Sequence, residues 1–440
     1  MDIEKAAKEA QDRIDREMAG NPAIRKMIEI VEEFLHTAKV MCYGGTAINN
    51  LLPEKDRFYD PKTDIPDYDF YSETPQLHAL LLSDRFVSEG YKGVEAKPGM
   101  HLQTFKVFVD STAVADITFL EKPIFDKLWN EHVVSNKIHY VTPNFLRMSM
   151  YLELSRPKGD VSRWTKVYNR LMLLNNHYPV GCNTHHKHDT IQESYLSTER
   201  RDQVEKELQK ETSILIGINA ALLHEKHANN KWALPVDVLV NANHFESVAD
   251  RYATLFESGG KVKIEEYPAY AKLLPKHIDI RDEESGTLLV RVFETLACHS
   301  YHELKSGLRV ASIPTLLQFF FAFAYADAHF IEGFDENRII CTAQRLMDLI
   351  KDNKRRFQVL TPIDCMGKQE TLFDMREHAS ALRSKTPQDS PDFFKFFFTY
   401  RPTQLSKSQR QKVRKDVKKT LKKKGVISSE SKYLALDSTS

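Results

Sequence analysis

A chain of 440 residues is long enough for two or three domains, each able to bury its own core. Its 42% hydrophobic and 28% charged residues are those of an ordinary soluble protein, and five scattered cysteines argue for a reducing compartment against a disulfide scaffold. The net charge of +1 hides an asymmetry: residues 401–424 hold eleven Lys/Arg against one acid, Asp416, which makes +10 there and leaves −9 for the rest.

The first residues, "MDIEKAAKEAQDRIDREM", form a charged helical pattern without the apolar stretch of a signal peptide. Residues 22–37 repeat apolar side chains at helical spacing, with Pro22 near the first turn. "KVMCY" then reads as a short strand, and Gly44-Gly45 as the turn after it. A helix is expected over 75–88. "TFKVFVD" and "STAVADITFL" alternate as a hairpin folded at Asp110-Ser111. "KIHYV" reads as a strand, followed by helices from Pro143 and over 161–176, so the first 180 residues form a compact α+β pattern.

Residues 181–198 are polar and without period, a linker. Cys182, His185, His186 and His188 lie in it, but their spacing fits no zinc pattern, and a surface loop is the simpler reading. The second half then echoes the first. "SILIGINAALL" repeats strand, glycine and helix, "LPVDVLVN" stands where "IPDYDFYS" stood, and "LRVASIPTLLQFFFAFA" echoes "IHYVTPNFLRMSMYLEL". The order matches, which implies an internal duplication. The run "LLQFFFAFAY" is too short to span a bilayer. A long helix is expected over 337–358. At the end, "SKSQRQKVRKDVKKTLKKKG" sets Val413, Val417 and Leu421 four apart in a basic amphipathic helix. Its charge points to a polyanion, most simply nucleic acid; a solvated tail or a localisation signal is the alternative.

Three features of the first half carry chemistry. Glycines at Gly44-Gly45-Thr46 let backbone approach a phosphate at a helix start. Asp67 and Asp69 stand two apart in a strand-like run, so both carboxylates face one side. Their repulsion calls for a cation, and hard divalent ions take such oxygens. Asp116 sits in an apolar strand, where a lone charge is costly and a third carboxylate would complete a two-metal site.

Glycine turn, D-x-D strand and distant Asp together resemble the nucleotidyltransferase superfamily of the DNA polymerase beta type, here with a longer loop, "PEKDRFYDPKTDIP", before Asp67. "YGGTAIN", "DYDFYS", "VADITFL" and "YVTPNFLRMSMYLELSRP" narrow the match. They look like the poly(A) polymerase catalytic subunits of large cytoplasmic DNA viruses, of the poxvirus, asfarvirus and mimivirus type.

That resemblance implies an α+β fold with a mixed sheet, flanking helices and a degenerate second nucleotidyltransferase-like domain. The expected organisation is a helical segment at 1–37, a catalytic domain at 38–180, a linker at 181–198, the degenerate domain at 199–400 and a basic tail at 401–440. It implies addition of AMP from ATP to the 3′ end of mRNA, with Mg²⁺ or Mn²⁺ on Asp67, Asp69 and Asp116. Gly44, Gly45, Thr46, Asn49, Lys158, Arg163 and Lys166 would take the nucleotide. Arg163, Lys166 and Arg170 share one helical face that could clamp a triphosphate. Arg410, Lys412, Arg414, Lys415, Lys418 and Lys419 would hold the RNA backbone. A homodimer or a separate stimulatory subunit, no membrane, and a cytoplasmic location complete the expectation. In "PVDVLV", Asp237 is followed by Leu239, so no second metal site is expected. The rival readings are a toxin-type nucleotidyltransferase acting on tRNA or protein, and an RNA-binding pseudoenzyme.

Overall fold

The computed structural model describes residues 2–183, 194–210, 213–225, 231–326 and 336–423. They pack as two units, Met1–Thr142 with Leu372–Ser440, and Pro143–Thr371. The motif-based domains at 38–180 and 199–400 follow the sequence repeat, whereas these units follow packing.

In the first unit, helices α1 (Asp2–Gly20) and α2 (Pro22–Leu35) lead into strand β1 (Met41–Tyr43). Helix α3 (Gly44–Leu51) starts at Gly44 itself, with no turn residue between. After it come β2 (Tyr68–Ser72), α4 (Pro75–Ser88), β3 (Val94–Pro98), β4 (Thr104–Val109), β5 (Thr112–Phe119), α5 (Lys122–Glu131), β6 (Val133–Ser135) and β7 (Ile138–Tyr140). Among the described residues these strands form one sheet in the order β3-β4-β5-β2-β1-β7-β6. The period-2 pattern gives that sheet two unlike faces. Phe70, Phe105, Val107 and Ile117 are fully buried on one, the face that α2 and α4 cover. Asp69, Lys106 and Asp116 alternate with them and point to the opposite, more open face.

The second unit begins with α6 (Pro143–Leu154) and α7 (Trp164–His177), which starts after a 3₁₀ turn at Val161–Arg163. Next are α8 (Thr198–Leu208), β8 (Ser213–Ile216), α9 (Gly217–Leu223), β9 (Val236–Val240), α10 (Phe245–Glu257), β10 (Val262–Tyr267), β11 (His277–Asp282), β12 (Leu288–Glu294), β13 (His299–Glu303), β14 (Arg309–Ala311), α11 (Ile313–Tyr325), α12 (Glu336–Lys351) and β15 (Cys365–Met366). Helix α8 begins inside the expected linker, and α12 stops seven residues short of 358. The sheet order, β10-β11-β12-β9-β8-β14-β13-β15, reproduces that of the first unit with one strand added. Strand directions match as well: β8 runs antiparallel to β9 and β9 parallel to β12, as β1 does to β2 and β2 to β5. The duplication is thus written in topology. All thirteen residues of α11 are buried, so its phenylalanine run is core, and no described helix is long and apolar enough to cross a membrane.

Four of the five cysteines pair, Cys182 with Cys341 and Cys298 with Cys365, while Cys42 is free and buried. This corrects the reading of scattered, unpaired thiols. Partners 159 and 67 residues apart are joined only by the fold. Cys182 is therefore no zinc ligand, and His185, His186 and His188 lie outside the described residues.

The chain finally returns to the first unit through α13 (Leu372–Lys385), α14 (Pro391–Phe397) and α15 (Lys407–Lys423). Tyr400 exchanges backbone hydrogen bonds with Ala96 on the edge strand β3, at 2.9 and 2.8 Å. Its hydroxyl donates to the buried Asp84 of α4 at 2.7 Å.

Candidate active site

Gly44 fixes the geometry at the end of β1. Its φ of +76° is strained for any residue with a side chain, and a Cβ there would stand 2.7 Å from Asp69 Oδ2. The glycine therefore makes room for a carboxylate as well as for a turn. Gly44→Ala is expected to cost about 1–3 kcal/mol, read as a lowered denaturant midpoint at unchanged slope.

Asp69 lies directly opposite Tyr43 on β1 and opposite Asp116 on β5. Opposed residues share a sheet face, so the two carboxylates stand side by side. Asp67 immediately precedes β2. Although it keeps an exposed surface, partial loss of water and then the Asp116 charge raise its carboxyl above the usual range, against the pull of Lys106. Lys106 faces Asp116 from β4 and pairs through Nζ with Asp116 Oδ2. On the same face Tyr43 stacks on Tyr71, with 3.9 Å between ring centres, and its hydroxyl meets that of Thr118 at 2.9 Å.

Thr46 and Asn49 are buried in α3. The Thr46 hydroxyl donates to the backbone oxygen of Asp67 at 2.7 Å, and the Asn49 amide oxygen accepts from the N–H groups of Phe58 and Tyr59 at 2.9 and 3.0 Å. Both brace the long loop that delivers Asp67. Lys158, Arg163 and Lys166 belong to the second unit, exposed in and after the turn that follows α6. Arg163 pairs with Glu153 at 3.1 Å.

The basic helix α15 is docked, not free. Val417 and Leu421 are buried, and the helix packs on α4. Arg414 pairs with Asp84 at 2.6 Å, and Arg410 approaches the same carboxylate at 3.9 Å. Lys412, Lys415 and Lys419 are exposed and Lys418 is half-buried.

The second sheet shows what the same frame becomes without this chemistry. Gly217 has φ +70°, and a Cβ there would stand 2.2 Å from Asp237 Oδ2. Asp237 faces Ile216 as Asp69 faces Tyr43, so it occupies the place of Asp69, and Pro235 stands where Asp67 does. The sequence reading, which set Leu239 in the second acid's place, is two residues out of register. Opposite Asp237 on the parallel strand is Arg291 in place of Asp116, and opposite Arg291 is Asp279 in place of Lys106. The ion pair of the first sheet recurs with its polarity reversed. Arg291 is fully buried and donates through Nε to Asp279 Oδ1 at 2.8 Å.

The first-sheet acids fit a divalent ion by donor chemistry: hard oxygens, set where partial loss of water and the Asp116 charge raise the Asp67 carboxyl. No group of three His, Cys, Asp or Glu side chains among the described residues is drawn together enough to hold a metal by itself. Mg²⁺ sites in phosphoryl transfer use one or two carboxylates and complete the shell with substrate phosphates, which this arrangement allows. Lys106 escaped the sequence reading. The hairpin turn at Asp110-Ser111 was legible, and counting outward from it places Lys106 near Asp116; a bulge between Val107 and Phe108 supplies the last residue of register.

Residues 29–160 match the family model described as "Poly(A) polymerase catalytic subunit". A mimivirus protein (Acanthamoeba polyphaga mimivirus) named as such a subunit is 26% identical over 275 residues, 55% of this chain and 46% of the relative. One from African swine fever virus (isolate Pig/Kenya/KEN-50/1950) is 29% identical over 163 residues, 36% of this chain and 34% of the relative. The chain thus spans under half the length of these curated relatives. The solved structure of the Megavirus polyadenylate synthase superposes with a TM-score of 0.75 at 19% identity, covering 95% of this chain and 88% of that one. The fold is accordingly the mixed α+β, nucleotidyltransferase-like one, built twice. By sequence over residues 29–160 the chain resembles the poly(A) polymerase catalytic subunits of large DNA viruses, and along most of its length it shares the fold of the Megavirus polyadenylate synthase.

Proposed function

We propose that this protein is a template-independent polyadenylate polymerase that transfers AMP from ATP to the 3′ end of RNA. The observation that carries the proposal is the pair Asp69 and Asp116, side by side on the open sheet face against Gly44, in a frame whose second copy has lost it.

Asp67, Asp69 and Asp116 would hold Mg²⁺ or Mn²⁺, which supplies charge neutralisation at the reacting phosphate and acidifies the attacking hydroxyl. Lys106 pairs with Asp116 Oδ2 and leaves Oδ1 for the ion at the RNA 3′-hydroxyl, whose proton passes to solvent. The 3′-oxygen bonds to the α-phosphorus, the bond from that phosphorus to the bridging oxygen breaks, and pyrophosphate leaves. The start of α3 at Gly44-Gly45 presents backbone N–H groups to the phosphates, while Thr46 and Asn49 keep the Asp67 loop in place. Lys158, Arg163 and Lys166 are the proposed cations for the triphosphate, and the exposed lysines of α15 for the RNA backbone. A second copy or a stimulatory subunit as partner, and action in the host cytoplasm, are part of the same proposal.

Primer extension with each of the four NTPs tests it. ATP is expected to give long products, the other nucleotides short or none, and EDTA is expected to stop the reaction. Equal incorporation of all four, or transfer to tRNA or protein in place of an RNA 3′ end, would refute it.

A further inference from the structure

The row of residues through the proposed active site does not end at Asp116. Asp69 faces Asp116, Asp116 faces Lys106, and Lys106 faces Lys97 on the edge strand β3. Directly opposed residues share one face, so these four side chains form a line across the open side of the sheet. Three strand spacings separate its ends, about 14 Å.

At the far end of that line lies a cleft of about 480 Å³, walled by β3, α13, α14 and the segment after α14. Lys97, Arg383 and Arg401 line it, with Phe396 and the single acid Glu95. Lys97 and Arg401 both pair with Glu95, at 2.8 and 2.7 Å, so the lining keeps an excess of positive charge. Arg383 is exposed, stacks against Phe393 and Phe397 at 5.8 and 5.7 Å, and has no carboxylate partner among the described residues. Lys97 lies 4.4 Å above the ring of Phe108, which is on the same sheet face. Phe396 is half-buried with Lys395 over its ring at 5.2 Å. Aromatic planes interleaved with cations are what single-stranded nucleic acid needs, a surface for bases and a track for phosphates.

We propose that this cleft binds the RNA primer upstream of its 3′ end, and that the open sheet face from Lys97 to Asp116 is the path of the strand into the active site. The proposal rests on the polymerase reading above and adds a site to it. A stacked strand advances about 3.4 Å per nucleotide, so the cleft would hold bases about four nucleotides behind the reacting end. The tail helix is the weaker candidate for this role, since Arg410 and Arg414 are turned onto Asp84.

The test uses the full chain, a fluorescein-labelled 15-nucleotide oligo(A) and a trinucleotide primer. Lys97→Gln/Arg383→Gln changes two exposed side chains, and Phe396→Ala removes the stacking surface. Each is expected to weaken binding of the 15-mer about tenfold. The double variant should also flatten the dependence of log affinity on log salt by about 1.4, the contribution of two phosphate contacts to a single strand. The preference in kcat/KM for the 15-mer over the trimer should fall by the same factor. Wild-type affinity and salt slope in both variants would overturn the inference, as would loss of binding only in Lys412→Gln/Lys415→Gln/Lys419→Gln. If the wild-type chain extends no primer, the polymerase reading fails instead, and the two failures are read from different samples.

Discussion

Asp69→Ala is expected to lower AMP incorporation by about 10³-fold or more, with Asp67→Ala and Asp116→Ala giving losses of the same order. The measurement is single-turnover extension of a labelled RNA primer at saturating ATP. Thermal unfolding separates lost chemistry from lost fold. Partial loss of water and then the Asp116 charge both work against ionised Asp67, so removing one carboxylate eases that cost and the midpoint should hold or rise. Asp69 is the most central of the three, standing against Gly44 and opposite Asp116. Full incorporation by all three variants would remove the basis of the proposed function.

Arg291→Met is expected to destabilise the second unit by about 3 kcal/mol, because it leaves the buried Asp237 without the cation opposite it and leaves Asp279 with Arg281 alone, at 3.0 Å. That corresponds to a fall in its melting temperature on the order of 10 °C. The loss should depend on pH. Burial, reinforced by Asp279, already pushes the Asp237 carboxyl up to about 7 despite the opposing charges of Arg291 and Arg338. A carboxyl raised in the folded state binds more protons there than when unfolded, so stability falls as pH rises from about 4 to about 7. Without Arg291 this fall should continue above pH 7, as thermal scans across pH 4–9 would show. Asp237→Asn in the same background should flatten it. A midpoint within a degree of wild type at every pH would mean that Arg291 is not the counter-ion of this core.

Much of the first sheet could be read from sequence, because period-2 alternation and turn residues specify a hairpin locally. The strand before Gly44, the strand of Asp69 and the hairpin that carries Asp116 fell into the expected elements for that reason, although Gly44 already belongs to α3 and Asp67 stands just before β2. The duplication was legible as an order of motifs, but its register was not. Asp237 looks like the first acid of a worn pair in "PVDVLV", and only the partner strand shows it beside Gly217 in the place of Asp69. Lys106 and Arg291 were invisible for a related reason. Their meaning lies in what faces them across strands, and a one-residue bulge decides which face Lys106 takes. The amphipathic tail was legible as a helix, but its docking on α4 depends on Asp84, more than three hundred residues earlier. The cleft of α13, α14 and β3 gave no signal, since no periodic pattern announces that two remote segments share a wall.

The first unit is made of two pieces of chain with the whole second unit between them. Synthesis therefore delivers the parts out of order. The second unit is contiguous and can complete its sheet while the first still lacks Tyr400, the residue that covers the edge of β3 and reaches Asp84. Domains usually finish in the order in which they leave the ribosome, amino-terminal first. Here the half with the carboxylates is begun before the second unit and completed after it, so a nascent chain cannot close the wall beside the Asp69–Asp116 face until residues 372–401 have been translated.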